Sequence, residues 1–155
     1  MKFWDTSAIL ALVFEERHSP AAKAASEAAR RSYAWSWLRV EAQAALARRR
    51  ATDRQWERLV ELLDVIQYVE IPAAQFEALC RVNREWRLRA SDAGHLYCFR
   101  QCSVVIPDLE LVCFDTEIVE AAEKAGLRLW RTSGAGPGTS LLVRERRGRY
   151  GSRKR

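Results

Sequence analysis

The sequence predicts an α/β domain whose parallel sheet is covered by helices on both faces. Three observations carry this prediction. Short apolar runs alternate with segments of helical periodicity from Lys2 to Trp130. The apolar runs are only three to five residues long, which suits strands buried on both faces rather than strands with one wet face. Helix start and stop signals fall between them, at Thr52, Pro72 and Gly126.

Taken in order, Lys2-Phe3-Trp4 reads as the first strand. Ile9, Leu12 and Val13 are spaced i, i+3, i+4, so a helix follows. Residues 19–31 are alanine-rich and helical, and Tyr33 to Trp37 is an aromatic, strand-like run. Leu38 to Arg50 returns to helix, with Val40, Ala44 and Ala47 expected on its inner face. Thr52 and Gln55 form a capping box, in which each end of the pair satisfies a backbone N–H of the helix start. The helix they open is expected to bury Trp56, Leu59, Val60 and Leu63. Gln67 to Ile71 is the next strand. Pro72 suits the first turn of a helix with the stripe Phe76, Leu79, Cys80 and Asn83 or Trp86. Ser91 can cap a further helix that turns Leu96 and Tyr97 inward. Leu111 to Phe114 is a strand and Thr116 to Ala125 a helix stopped by Gly126. Leu127 to Trp130 is the last strand.

The chain has 155 residues, 48% of them hydrophobic and 30% charged, enough for one domain with a core. No apolar run approaches the length of a membrane span, and the N-terminus turns polar too early for a signal peptide. Four cysteines are too few for a disulfide scaffold, so a cytoplasmic protein is expected. The net charge is +6, yet seven of the 26 basic residues lie between Arg144 and Arg155 with one acid, leaving 19 of each sign in residues 1–143. Net charge therefore does not mark the folded part as a nucleic-acid-binding surface. Residues 132–139 read as a Gly/Pro linker. The expected division is a domain over 1–131 and a flexible linker with a basic tail over 132–155. The tail is either a solvated extension or an arm for nucleic acid or acidic partners.

In a parallel α/β sheet ligands gather at the carboxyl ends of the strands, so acids placed there matter most. Asp5 ends the first strand, and Asp115 follows Leu111-Val112-Cys113-Phe114. Asp92 opens a helix after Ser91, and Glu41 lies one turn into the helix after the aromatic run. Each has an ordinary alternative: aspartate caps helices and favours the helix dipole, and Glu41 could be a solvated surface residue. Clustered carboxylates repel one another unless a cation joins them. Hard divalent cations with oxygen ligands, Mg²⁺ or Mn²⁺, are the natural partners. Such a site suits metal-assisted hydrolysis of a phosphodiester.

Asp5-Thr6-Ser7, Val40-Glu41-Ala42, the segment Leu88 to Leu96 and Phe114-Asp115-Thr116-Glu117, in this order, resemble a PIN domain. More narrowly, they resemble the VapC-type toxins, the ribonuclease half of VapBC toxin–antitoxin modules. The resemblance covers residues 1–131. It implies a PIN-like three-layer fold with a central five-stranded parallel sheet flanked by helices. It also implies a Mg²⁺- or Mn²⁺-dependent endoribonuclease acting on RNA, a VapB-like antitoxin that blocks the site, and a homodimer. By position, Asp5, Glu41, Asp92 and Asp115 form the catalytic and metal-binding quartet. Thr6 or Ser7 would orient Asp5, and Thr116 or Glu117 would support the metal site.

His95 shares a helix face with Asp92 and is read as a packed, hydrogen-bonded histidine rather than a general base. His18 is assigned no role. Cys98 and Cys102 read as small buried hydrophobes, because their spacing is not a zinc pattern. Trp35 and Trp37, read as strand residues, are expected on opposite faces. Arg84, Arg87 and Arg89 could hold RNA phosphates, pair with the acids or simply be solvated. Two other functions compete. A haloacid-dehalogenase-type phosphatase would need an acid where Ser7 stands and a suitable lysine, whereas residues 1–131 hold only Lys2, Lys23 and Lys124. A non-catalytic PIN-like RNA-binding protein would not need all four acids.

Overall fold

The computed structural model describes residues 1–131. Four short strands form one parallel sheet: β1 (Lys2–Trp4), β2 (Ser32–Trp35), β3 (Ile66–Val69) and β4 (Glu110–Val112), in the spatial order β3-β2-β1-β4. The chain builds outward from β1 to β3 and then returns to lay β4 on the other side of β1. Strand order therefore reverses between β1 and β4, and in open α/β sheets the carboxyl ends at such a point are where ligands bind.

Seven helices connect and cover the strands: α1 (Thr6–Val13), α2 (Ser19–Glu27), α3 (Trp37–Arg48), α4 (Asp53–Asp64), α5 (Phe76–Trp86), α6 (Ala90–Val105) and α7 (Thr116–Lys124). The strand alternation sorts the core into two halves. Phe3 and Leu111 face one side, packing with Leu79, Leu96, Phe99 and Ile118 of α5–α7. Trp4 and Val112 face the other, packing with Ile9, Leu38, Leu46 and Leu59 of α1–α4. Burying each such side chain contributes about 1.5–3 kcal/mol, and the sheet lies between the two layers. Among the described residues no helix is long and apolar enough to cross a membrane.

Several expectations needed correction. The sheet has four strands, not five. Residues 127–130 contribute a single parallel bridge, Leu111 to Leu129, with Leu111 N–H donating to Arg128 O and Trp130 N–H to Leu111 O. Gly126 takes φ +66° to end α7, and Leu127 N–H is spent on Ala122 O in that turn. Among the described residues this pairing beside the three-residue β4 stops at one bridge and makes no further strand.

The aromatic run after β2 does not stay extended. Ser36 has helical angles and Trp37 begins α3, so Trp35 and Trp37 are not strand neighbours on opposite faces. On α3 the buried face is Leu38, Ala42, Ala45 and Leu46, while Val40 is 52% exposed. On α4 it is Leu59, Leu62 and Leu63, with Val60 outside. A 3₁₀ turn over Ala73–Gln75 follows Pro72, and α5 buries Leu79 but exposes Phe76 and Cys80. Asn83 closes the turn after α5 by exchanging two hydrogen bonds with the backbone of Leu88. Arg89, not Ser91, occupies the cap position of α6. The Thr52–Gln55 capping box is present, and Leu96, Tyr97, Cys98 and Cys102 are buried as expected. The linker and basic tail fall outside the described residues.

Candidate active site

The site at the carboxyl ends of β1 and β4 is built from backbone outward. Asp5 directly follows β1, and its N–H donates to Val112 O, extending the pairing with β4. Its extended backbone makes it the N-cap of α1, where Oδ2 accepts from Ser7 N–H at 2.9 Å and Ser7 Oγ–H at 2.6 Å. Ser7 Oγ in turn accepts from Phe114 N–H at 2.9 Å, just beyond β4. One hydroxyl thus ties the two strand ends to one carboxylate. Asp5 is only 3% exposed, yet Oδ1 takes no part in the capping bonds.

Asp115 is also a cap. Its Oδ1 accepts from Glu117 N–H and Ile118 N–H at the start of α7. The capping explanation is therefore correct for Asp5 and Asp115, and it leaves one oxygen of each outside the caps. Glu41, on the second turn of α3, is held by Thr6 Oγ1–H at 2.5 Å and by His95 Nε2 at 2.8 Å. Asp92, in the first turn of α6, is within 3.3 Å of the Ser91 hydroxyl.

Electrostatics show that the four acids share one field. Burial pushes the Asp92 carboxyl above its ordinary range, and the charges of Asp115, Asp5 and Glu41 push it further, against a smaller opposing effect of Ser91. Glu41 goes the other way. Burial would raise it, but the bonds from His95 and Thr6 and the His95 charge hold it below the usual carboxylate range. Burial likewise works against a proton on His95, but hydrogen bonding to Glu41 and the charges of Asp5, Glu41 and Asp92 outweigh it, so His95 is raised. Behind Asp5, burial and the Asp5 charge raise the Cys113 thiol well above its ordinary value, so it is a packed neighbour and not a nucleophile.

Sequence reasoning placed His95 as a packed histidine. It is that, at 1% exposure, and it is also inside the acidic site. Nε2 meets Glu41 while Nδ1 lies 3.9 Å from Asp5 Oδ1 with no hydrogen-bond partner. The shared helix face with Asp92 was the available signal. Ser7 orients Asp5, whereas Thr6 serves Glu41. Thr116 and Glu117 are exposed in the first turn of α7, and of the two only the Glu117 N–H touches Asp115. Arg84, Arg87 and Arg89 are exposed and are in no ion pair among the described residues. His18 stacks on Phe114 at 4.7 Å, an aromatic contact the sequence reading did not anticipate.

These charges set a pH dependence for the metal-free protein. His95 is raised above its ordinary 6.5, so the stability it contributes is complete below that value and is lost as pH rises through the folded-state value. Glu41 is lowered below 4.5, so its contribution is present above 4.5 and is lost at more acid pH. Asp92, raised above 3.8, withdraws stability as pH climbs through its window. Unfolding midpoints measured against pH should therefore peak between the Glu41 and His95 values and fall on the alkaline side. His95→Asn should flatten that alkaline fall. Identical alkaline limbs in both proteins would show that the His95 proton does not support the fold.

The donor chemistry suits a hard divalent cation: carboxylate oxygens, of which Asp5 Oδ1 and Asp115 Oδ2 stand outside the caps, with Asp92 strained by its own neighbours. Among the described residues no group of three or more His, Cys, Asp or Glu side chains stands arranged to hold a metal ion. A separate cleft of about 640 Å³ at the amino edge of the sheet, beside Lys2 and Arg128, contains none of the four acids.

The family model for the PIN domain matches residues 2–101. None of the curated proteins compared with the chain matches it. The matched span contains Asp5, Glu41 and Asp92, and Asp115 joins them from β4 at the same edge. The chain belongs to the PIN domain family, whose members are in general nucleases that use divalent metals.

Proposed function

We propose that this protein is a Mg²⁺- or Mn²⁺-dependent endoribonuclease, the VapC-type toxin of a toxin–antitoxin pair. The observation that carries the reading is the meeting of Asp5 and Glu41 on the buried His95, one helical turn from Asp92, beside the switch point of the sheet. Asp5, Asp92, Asp115 and Glu41 would hold the cation. When bound, it supplies the positive charge that offsets a phosphodiester and makes water a better nucleophile.

The chain's own residues prepare that chemistry. Ser7 fixes Asp5 so that Oδ1 is the oxygen left for binding. Thr6 and His95 both engage Oε2 of Glu41 and hold the carboxylate in place. Asp92, whose carboxyl is raised by burial and by the neighbouring acids, is the carboxylate whose charge a bound cation would relieve most directly. The Glu117 N–H supports the site through the α7 cap, which positions Asp115.

The toxin assignment rests on the resemblance of the Leu88–Leu96 segment and of the stretch from Phe114-Asp115 to Gly126-Leu127. With it come a VapB-like antitoxin covering the site, a homodimer and a cytoplasmic setting. The tail beyond Arg131 adds non-specific RNA affinity through its basic residues.

The test is cleavage of RNA by the purified full chain. Activity should require Mg²⁺ or Mn²⁺, disappear in excess EDTA and return when Mn²⁺ is restored. Full activity in EDTA would reject the mechanism. RNA binding without cleavage under any metal would instead favour the non-catalytic reading.

A further inference from the structure

Two tryptophans at the carboxyl end of β2 point to how substrate is selected. Trp35 ends β2, Trp37 begins α3, and their rings stack at 6.0 Å and 26°. The inner ring is fixed. Trp35 meets His95 edge-on at 5.2 Å, and a Cβ on Gly94 would fall 2.3 Å from it. The outer ring is not buried: Trp37 is 46% exposed. An aromatic ring held rigid from behind and left wet is a prepared stacking surface.

Its position relates it to the acids. Trp37 and Glu41 are four residues apart on α3, one turn along the same face. β2 is the immediate neighbour of β1, which ends at Asp5. A cleft of about 460 Å³ surrounds Trp37, lined also by Ser36, Arg39, Val40 and Gln43. The lining offers a π face, a cation, a hydroxyl and a carboxamide. The Arg39 guanidinium lies 5.4 Å over the Tyr68 ring and is in no ion pair among the described residues. This is the chemistry that receives a nucleotide: stacking for the base, donors and acceptors for its edge, and a cation for the adjoining phosphate.

We propose that this cleft takes an unpaired nucleobase of the RNA, stacked on Trp37 next to the phosphate presented to the carboxylates. The inference rests on the nuclease reading for its substrate. It makes the enzyme selective for single-stranded RNA, because a base inside a duplex has both faces covered by its neighbours.

The test is binding of a labelled single-stranded RNA to the full-length protein, followed by anisotropy in EDTA so that cleavage does not interfere. Trp37→Ala should weaken binding about 5- to 100-fold, the range expected for one stacked base. Trp37→Phe, which keeps a ring, should restore most of it, and a hairpin duplex should not distinguish the variants. Moving a single abasic site along the RNA should find one position that costs the wild type the same factor and costs Trp37→Ala nothing. In a metal-containing assay the alanine variant should raise KM with little change in kcat. If the coupling is seen but no RNA is cleaved in any metal, the subsite stands and the nuclease reading fails. If cleavage is normal but Trp37→Ala binds within twofold of wild type, or the abasic penalty is the same in both, the subsite is rejected. A Trp37→Ala effect confined to self-association, read by light scattering, would also reject it in favour of a protein contact.

Discussion

Asp5→Asn should abolish RNA cleavage, by a factor on the order of 10²–10³ or more, while the protein stays folded. Asparagine keeps the oxygen that accepts from Ser7 N–H and Oγ–H, and it caps helices about as well as aspartate. What is lost is the negative charge beside Asp92. Asp92→Asn should behave in the same way. Because the folded protein raises the Asp92 carboxyl above 3.8, its ionised form opposes folding at neutral pH. Removing that charge should hold or raise the thermal midpoint in metal-free buffer. The pairing of lost activity with retained stability is the signature of a site. A variant that keeps full activity, or loses fold and activity together, would return Asp5 to the role of a simple helix cap.

The second large effect belongs to Gly94. Gly94→Ala should destabilise the protein although alanine is the better helix former. The exchange gains about 0.8–1.0 kcal/mol in helix propensity. Against this, the new Cβ would sit 2.3 Å and 2.5 Å from two atoms of the Trp35 ring. That ring is held between His95 and Trp37, so it has little room to withdraw. Overpacking of this kind costs typically about 1–3 kcal/mol, and it should win. Because Trp35 backs His95, cleavage should fall as well. Denaturant unfolding of Gly94→Ala, Trp35→Phe and the double variant checks this, with the smaller ring relieving much of the penalty. A Gly94→Ala protein more stable than wild type would show that the ring moves freely.

The local signals were legible and the tie-breaking ones were not. The capping box at Thr52 and the stop at Gly126 are decided within a few residues of chain, and both appear as read. The acids at Asp5 and Asp115 were legible because a cap position directly after a strand puts them at the sheet edge. The inner face of α3 was not, because an alanine-rich helix offers more than one apolar stripe. Packing chose Leu38, Ala42, Ala45 and Leu46, and left Val40 in the cleft beside Trp37. Tyr33, Trp35 and Trp37 alternate as strand residues do, and that pattern outweighed the one local signal of a turn, the cap residue Ser36. It is that turn that stacks Trp35 on Trp37. His95 was read for its burial but not for its two carboxylate neighbours, since Asp5 and Glu41 lie far from it in sequence. The fifth strand was overestimated because its apolar pattern is real, while the Gly126 turn uses part of it.

The proposed reaction is attack of water on an RNA phosphodiester, directed by these carboxylates. The most direct measurement is the chemistry of the ends left by Mn²⁺-supported cleavage with the full-length protein, with Asp5→Asn run alongside. Attack by water gives a 5′-phosphate and a 3′-hydroxyl, and the Asp5→Asn sample should show neither. A 2′,3′-cyclic phosphate, or the same products from Asp5→Asn, would mean that the ribose hydroxyl or a contaminating activity performs the cut, and would contradict the account.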